Sequence, residues 1–204
     1  MQKYFFTTVL GTAIFSNILM AGAVNITKDL ESVEVLDKDE KVIIKREQNT
    51  RKRLTNNFTK TSRECPPFCI QPMYIDKVKT VGELELLDFV QSLSNESHTL
   101  LLDARTTEWH RASTIPGSVN LPFTMLKKDG KYIDKVLRIL GATKDGEAWD
   151  FEKVQTLLIY SNGAWDAQAT TAIESLIEVG YPEDKILYYR GGMQSWQNLG
   201  LTTK

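Results

Sequence analysis

Short apolar runs alternate with helical patterns from residue 73 onward, and this alternation is the strongest constraint on the fold. Thr99–Asp103, Thr156–Tyr160 and Ile186–Tyr189 are each four or five residues long and mostly apolar. Runs of this kind are typical of strands that are buried on both faces of a parallel sheet. We therefore predict an α/β fold over residues 73–204, with a parallel sheet covered by helices on both faces.

Helical spacing fills the intervals between these strands. The predicted helices are residues 83–93, 132–140, 169–180 and 194–198, with a further short strand at 119–122. The apolar face of the first helix is predicted to consist of Leu84, Leu87, Val90 and Leu93. Ligands of such sheets bind beyond the carboxyl ends of the strands. Residues 161–166, which follow the strand ending at Tyr160, are therefore the first candidate site.

The composition excludes several classes of protein. Hydrophobic residues make up 42% of the 204 residues and charged residues 25%, which is compatible with a packed core. The formal net charge of −1 argues against a nucleic-acid-binding protein, which usually has a basic excess. Two cysteines are too few for a scaffold of several disulfides or for a closed zinc site. We expect no nucleic-acid partner, no cofactor and no zinc site.

Residues 1–23 have the pattern of a secretory signal peptide. A single cation, Lys3, precedes an uncharged stretch that closes with Ala21-Gly22-Ala23, a small-residue cleavage pattern. The alternative is an uncleaved membrane anchor. Threonine, serine, asparagine and glycine residues interrupt the stretch, which makes it weakly apolar for a span of about 20 residues. We expect cleavage after Ala23, export to the periplasm, and no stable membrane span in the mature chain.

Residues 24–72 form a charged N-terminal extension. Residues 32–36 alternate apolar and polar side chains, residues 41–45 do so in part, and a turn at 37–40 lies between them, which predicts a β-hairpin. Arg51-Lys52-Arg53 is interpreted as a solvated basic surface, because acidic residues lie nearby. Cys65-Pro66-Pro67-Phe68-Cys69 predicts a rigid linker or turn, since two consecutive prolines fix two φ angles and remove two amide donors.

Three motifs of the α/β region resemble those of the rhodanese family of sulfurtransferases, and they occur in the family's order. Leu102-Asp103-Ala104-Arg105 is similar to the family's Asp-x-Arg segment. Residues 115–122 begin with a similar Ile-Pro-Gly, and residues 190–196 resemble the closing Gly-Gly-x-x-x-Trp. The resemblance covers residues 73–204 and implies a rhodanese-like domain there.

The loop that follows Tyr160 departs from this family in its chemistry. Rhodaneses carry a loop Cys-x-x-Gly-x-Arg, whose cysteine holds the transferred sulfur as a persulfide and whose arginine helps to hold the anionic donor. Here those two positions are Ser161 and Asp166. A serine hydroxyl needs an adjacent base, and a carboxylate repels an anionic donor. We therefore predict a degenerate active-site loop without sulfurtransferase turnover, consisting of Ser161, Asn162, Gly163, Ala164, Trp165 and Asp166.

Other side chains are expected near this loop. Asp103 and Arg105 are predicted to support the pocket, and Arg105 is interpreted as structural because its fork of donors suits carboxylates. Trp165 either lines the mouth of the pocket or packs as an aromatic residue of the loop. His98 and His110 are expected to be exposed to solvent, although His110 follows the Asp-x-Arg segment closely enough to approach the pocket.

The lead-in around Cys65 and Cys69 resembles that of a subset of exported rhodanese-like proteins. In that subset the active loop reads Cys-Asn-Gly-Pro-Trp-Cys-Gly-Gln-Ser. The positions of this chain that still match it are Asn162, Gly163, Trp165 and Gln168. Three interpretations of the cysteine pair remain open: a structural disulfide that closes the turn, a redox-active dithiol, and a soft-metal site.

Two functions are compatible with this sequence. The first is a binding or accessory module, whose partner is an unknown protein or a small anionic or sulfur ligand. The alternative is a protein of thiol redox, sulfur transfer or soft-metal handling that works through Cys65 and Cys69. Replacing both cysteines with alanine separates the two, since only the alternative needs the thiols. An esterase-like reaction of Ser161 is disfavoured, because no base is placed beside it.

Overall fold

The computed structural model describes residues 22–93 and 98–204, so the predicted signal peptide lies almost wholly outside the described residues. The strands are β1 Ser32–Asp37, β2 Glu40–Lys45, β3 Lys79–Val81, β4 Thr99–Asp103, β5 Ser118–Asn120, β6 Thr143–Asp145, β7 Ala148–Asp150, β8 Thr156–Tyr160 and β9 Ile186–Tyr189. The α-helices are α1 Glu83–Gln91, α2 Thr107–Ala112, α3 Ile133–Ile139, α4 Gln168–Glu178 and α5 Gly192–Asn198. Short 3₁₀ turns lie at Asn57–Thr59, Phe123–Met125 and Glu183–Lys185.

A five-stranded parallel sheet forms the centre of the fold, in the order β3-β9-β8-β4-β5. The three apolar runs identified in the sequence are its three central strands, β9, β8 and β4. The register aligns Asp103 with Tyr160 and Tyr160 with Tyr189. The carboxyl ends of these strands therefore meet at one edge of the sheet, which is where ligands of such sheets bind. The α/β prediction is confirmed.

Two cores lie on opposite faces of this sheet. Leu102 and Ile159 face one core, which includes the buried apolar side chains of α3 and α4. Leu101 and Leu158 face the other core, which includes those of α1, α5 and the N-terminal hairpin. Adjacent residues of one strand thus point to opposite cores, as the pleat of a strand requires. This double burial explains why the central strands are continuous apolar runs rather than alternating ones.

The predicted hairpin is confirmed, and it packs on the domain. Strands β1 and β2 pair antiparallel, and Val33, Val35 and Ile44 are buried in the same core as α1 and α5. The end of β2 also pairs with the C-terminal segment, because the backbone N–H of Thr202 donates to the carbonyl oxygen of Lys45 (3.0 Å). Residues 24–72 therefore contribute to the core of the domain, although their composition is highly charged.

The structure corrects several local expectations. Leu84 is 50% exposed, and the buried face of α1 includes Leu86, Leu87 and Val90. A three-residue spacing predicted that Leu84 would be buried. In the structure the hairpin and the sheet pack against the side of the helix that carries Leu86, and Leu84 is left exposed. The short strand at 119–122 ends at Asn120 instead, since Pro122 has no N–H to donate. Helix α2 and the β6-β7 hairpin were not predicted.

Candidate functional site

Residues 161–166 form a tight loop between β8 and α4, at the carboxyl edge of the sheet. The backbone N–H of Asp166 donates to the carbonyl oxygen of Gly163 (3.0 Å), which closes the loop on itself. The start of α5 holds the loop from the other side, since the N–H of Met193 donates to the carbonyl oxygen of Ser161 (3.0 Å). The loop is therefore fixed by backbone contacts to two elements.

Gly192 explains why the Gly-Gly motif stands opposite this loop. Its φ is +56°, and a Cβ there would overlap the carbonyl oxygen of Ser161 and approach the backbone nitrogen of Gly163 to 2.6 Å. Only glycine combines this backbone conformation with so close an approach. The motif that resembled the closing segment of the rhodanese family is thus a packing requirement of the loop.

The Asp166 carboxylate occupies the inside of this loop. It accepts hydrogen bonds from the backbone N–H and the side-chain amide of Asn162 (3.0 and 2.8 Å). It also accepts from the backbone N–H of Gln168, the first residue of α4 (3.1 Å), and from the Gln168 side chain. Only 3% of Asp166 is exposed. The Asn162 amide and the first amide of α4, which could otherwise face an external anion, are thus engaged by a carboxylate of the chain itself.

Ser161 is buried and has no base as its hydrogen-bond partner. Only 2% of the residue is exposed, and its hydroxyl donates to the carbonyl oxygen of Asp166 (3.2 Å). A carbonyl oxygen cannot accept the proton of a nucleophilic serine, so this contact does not activate the hydroxyl. His98 is exposed near the start of β4, and His110 pairs with another group described below.

Asp103 and Arg105 form a fully buried, bidentate ion pair beside the loop. Arg105 donates from Nε to one carboxylate oxygen (2.8 Å) and from Nη2 to the other (2.6 Å). Arg105 also donates to the side-chain oxygen of Asn162 (3.2 Å) and to the carbonyl oxygen of Ser113 (2.7 Å). The guanidinium thus ties three segments together, as expected for a positioning role.

The electrostatics of this pair keep Asp103 ionised. Burial by itself would raise the pKa of Asp103, but hydrogen bonds from Arg105 and His110 and the positive charge of Arg105 outweigh it. The pKa of the carboxyl is therefore held below its ordinary value. The buried guanidinium of Arg105 needs a partner that stays charged at neutral pH, because an unpaired buried charge strongly destabilises the fold. The Asp103 carboxylate is that partner.

His110 is not an exposed surface residue, contrary to expectation. Its Nδ1 lies 3.0 Å from a carboxylate oxygen of Asp103, and its side chain is 19% exposed. The same oxygen accepts a hydrogen bond from the Thr114 hydroxyl (3.0 Å), which also contacts the hydroxyls of Ser118 (2.7 Å) and Tyr160 (2.8 Å). The only signal for this network in the sequence is the position of His110 just after the Asp-x-Arg segment.

An N-terminal segment, residues 63–72, lies across the mouth of the loop. The Arg63 guanidinium stacks on the Trp165 ring at 3.6 Å, and Phe68 meets the same ring edge-on at 5.5 Å. The backbone N–H of Gln71 donates to the carbonyl oxygen of Ala164 (2.8 Å), and Arg190 donates to the Gln71 carbonyl oxygen. We call residues 63–72 the strap. Sequence reasoning placed this segment before the domain and missed that it covers the loop.

The strap and the loop line an open pocket of about 720 Å³, which we call the cavity. Its lining includes Lys60, Arg63, Cys65, Cys69, Trp165 and Arg190. Trp165 therefore both lines the mouth and packs against the Phe68 ring, which joins the two interpretations offered from the sequence. Within residues 22–93 and 98–204, three cations and no carboxylate line this cavity.

Cys65 and Cys69 form a disulfide in the strap, with their Cα atoms 4.7 Å apart. This agrees with the interpretation of the pair as a disulfide. Among the described residues, no group of three or more histidine, cysteine and acidic side chains is placed to hold a metal ion. In the same part of the chain, no helix has the length and apolar character needed to cross a membrane.

Comparison with known proteins places this fold and loop in a family. The sequence-family model for the rhodanese-like domain matches residues 86–199, which is more than half of the chain. The chain therefore belongs to the rhodanese-like family. The matched range includes the Asp103–Arg105 pair and residues 161–166. A search of curated proteins gave no match.

Solved structures similar to this chain come from several organisms. A human single-domain sulfurtransferase is 22% identical, over 59% of this chain and 96% of its own, with a TM-score of 0.42. A rhodanese-related protein from Thermoplasma volcanium is 17% identical, over 62% and 97%, with a TM-score of 0.42. The BH2092 protein from Bacillus halodurans is 15% identical, over 62% and 76%, with a TM-score of 0.45.

Proposed function

We propose that this chain is an exported rhodanese-like protein that does not turn over thiosulfate at residues 161–166 and acts as a binding or accessory module. One observation carries the proposal: the Asp166 carboxylate, 97% buried, accepts hydrogen bonds from the loop and from the start of α4. An anionic sulfur donor entering this loop would meet a like charge, and the amides of Asn162 and Gln168 already donate to that charge. Ser161 adds no activated nucleophile, since its hydroxyl donates to a carbonyl oxygen.

The partner of such a module would meet the strap rather than the interior of the loop. The sequence left open whether the loop or the N-terminal segment contacts a partner. Because Asp166 fills the loop and the strap covers it, the accessible features of this edge are the strap and the cavity beneath it. An unknown protein or a small anionic or sulfur ligand remains the proposed partner, with periplasmic export following from the pattern of residues 1–23.

Thiosulfate-to-cyanide sulfur transfer by residues 24–204 tests the proposal. The wild-type protein is expected to show no turnover above that of the buffer. The double variant Ser161→Cys with Asp166→Arg, which restores the family's loop chemistry, is expected to gain measurable turnover. Cys65→Ala with Cys69→Ala serves as the matched control and is expected to match the wild type. Wild-type turnover that vanishes in this control would refute the silent module and make the cysteine pair the working site.

One observation favours a second candidate function, the redox form of the alternative. The two sulfur atoms are bonded to each other and lie in the lining of the cavity, next to the degenerate loop. The sulfur atoms of a disulfide are not thiolates, and the thiolate is the form of cysteine that binds a soft metal. Thiol–disulfide exchange at Cys65 and Cys69 is therefore favoured over metal handling.

A further inference from the structure

Four exposed apolar side chains lie within residues 68–74, which overlap the strap and extend just beyond it. These side chains, with their exposed fractions, are Phe68 (40%), Ile70 (84%), Met73 (54%) and Tyr74 (81%). All four lie within seven consecutive residues, and the first of them lies inside the disulfide ring. Exposed apolar side chains gathered in one place are typical of a protein–protein contact surface. We call these four residues the apolar strip.

The disulfide is accessible next to this strip. Cys65 is exposed and Cys69 is half-buried, so the bond is not enclosed by the core. Lys60, Arg63 and Arg190 line the same cavity as the two cysteines. Cations in this position attract an incoming thiolate and stabilise the thiolate that leaves when the disulfide is attacked. The ring closes only five residues, Cys65 to Cys69, and so short a loop contributes little stability by restricting the unfolded chain.

We propose that the apolar strip docks a protein dithiol, which exchanges with the Cys65–Cys69 disulfide. A thiolate of the partner attacks one sulfur of the disulfide, the Cys65–Cys69 bond breaks, and a mixed disulfide forms. The partner's second thiolate then attacks its own half of the mixed disulfide and releases the second cysteine. The partner loses two electrons and becomes a disulfide. Cys65 and Cys69 gain these two electrons and the two protons of the partner's thiols.

This occupant follows from the chemistry of the surface. A disulfide reacts with thiolates, which identifies the reactive group of the partner. Four exposed apolar side chains beside the bond offer far more contact area than a small thiol can use, which favours a protein over a free thiol. The inference deepens the redox function proposed above and rests on it. It is independent of whether residues 161–166 transfer sulfur.

Reduction kinetics of the folded protein test the inference. The probes are reduced thioredoxin, as a protein dithiol, and dithiothreitol, as a small dithiol, and the readout is the mass of the alkylated thiols. We expect thioredoxin to reduce the disulfide at least about tenfold faster than dithiothreitol at equal dithiol concentration. The ratio of the two rates is expected to fall at least about fivefold in Ile70→Ser and in Tyr74→Ser.

A control variant and two contrary outcomes complete the design. Ile139→Ser replaces another exposed isoleucine, 62% exposed at the end of α3, and is expected to keep the wild-type ratio. If dithiothreitol reduces the disulfide only when circular dichroism shows unfolding, the redox function itself fails. If dithiothreitol reduces the folded protein but thioredoxin is no faster, or the strip variants keep the wild-type ratio, the docking inference alone is overturned.

Discussion

Asp166 accepts a hydrogen bond from the backbone N–H of Asn162 at 3.0 Å, so the loop that follows β8 is closed by its own carboxylate. In a rhodanese the corresponding loop is built around a cysteine and an external anion. Here the negative charge is part of the chain and is bonded by Asn162 and Gln168. The contact turns a potential anion site into a packed structural loop.

Removing the Asp166 carboxylate tests this view. Asp166→Ala leaves the buried amides of Asn162 and the partly buried amides of Gln168 without their acceptor, and we expect a loss of at least about 2 kcal/mol in the free energy of unfolding. Asp166→Asn keeps an oxygen acceptor and is expected to lose less. Asp184→Ala, at an exposed position, is the control and is expected to stay within about 0.5 kcal/mol. Urea denaturation measures all three, and an unchanged Asp166→Ala midpoint would contradict the structural role.

The Asp103–Arg105 pair predicts a pH dependence of stability. The pKa of Asp103 is lowered in the folded protein, so its contribution is fully present above the unfolded value near about 4 and is lost as the pH falls through the folded pKa. Asp103→Asn, which leaves the Arg105 charge unpaired, is expected to cost about 3–5 kcal/mol at neutral pH. The stability gap between wild type and variant should therefore narrow below about pH 4.

Urea denaturation of both proteins over a pH series checks this prediction. The difference in the free energy of unfolding between wild type and Asp103→Asn is expected to be constant from neutral pH down to about pH 5. It is expected to shrink at lower pH, as the wild-type Asp103 carboxyl takes up a proton. A gap that stays constant down to about pH 3 would mean that the ionisation of Asp103 does not stabilise the fold.

The hairpin offers a matched pair of isoleucines. Ile44 is fully buried in the core beside α1, whereas Ile43, its neighbour on β2, is 54% exposed. Ile44→Ala is expected to cost about 2–5 kcal/mol through lost burial and a residual cavity. Ile43→Ala is expected to change stability by less than about 0.5 kcal/mol. Equal effects in thermal or urea denaturation would show that the hairpin is not part of the core.

Two glycines with similar φ angles, Gly146 and Gly192, allow two costs of an added Cβ to be measured separately. One is the strain of a left-handed backbone conformation, and the other is steric overlap with a neighbouring backbone. A Cβ at Gly146 (φ +60°) would meet no atom within 4 Å, so Gly146→Ala is expected to cost about 1–2 kcal/mol from its left-handed conformation alone. A Cβ at Gly192 (φ +56°) would also overlap the backbone of residues 161–163. Gly192→Ala is therefore expected to cost clearly more in urea denaturation. Equal losses would mean that the loop moves aside without penalty.

The sequence predicted much of the architecture because local patterns determine it. The bounds of β4, β8 and β9 agree with the apolar runs, since strands buried on both faces need continuous apolar side chains. The hairpin followed from alternation and a short turn, and α4 from helical spacing before Gly180. These features depend on neighbours within one turn or one strand.

The candidate site was predicted only in part. The position of residues 161–166 followed from the strand-loop-helix pattern and the family resemblance. The partner of His110 did not, because a strand end and a helix that follows it can meet in many ways. Arg105 was predicted to bind carboxylates, and the structure shows it bonded to Asp103 and to Asn162, which lies 57 residues away in sequence.

The amino-acid sequence by itself determined the α/β architecture and the place of the loop, with Ser161 and Asp166 at its first and last positions. Only the tertiary structure decided that Asp166 turns inward and that the strap covers Trp165. The strap is held by contacts such as that between Arg190 and Gln71, 119 residues apart. Contacts over such separations depend on how the whole chain packs, and no local pattern of residues encodes them.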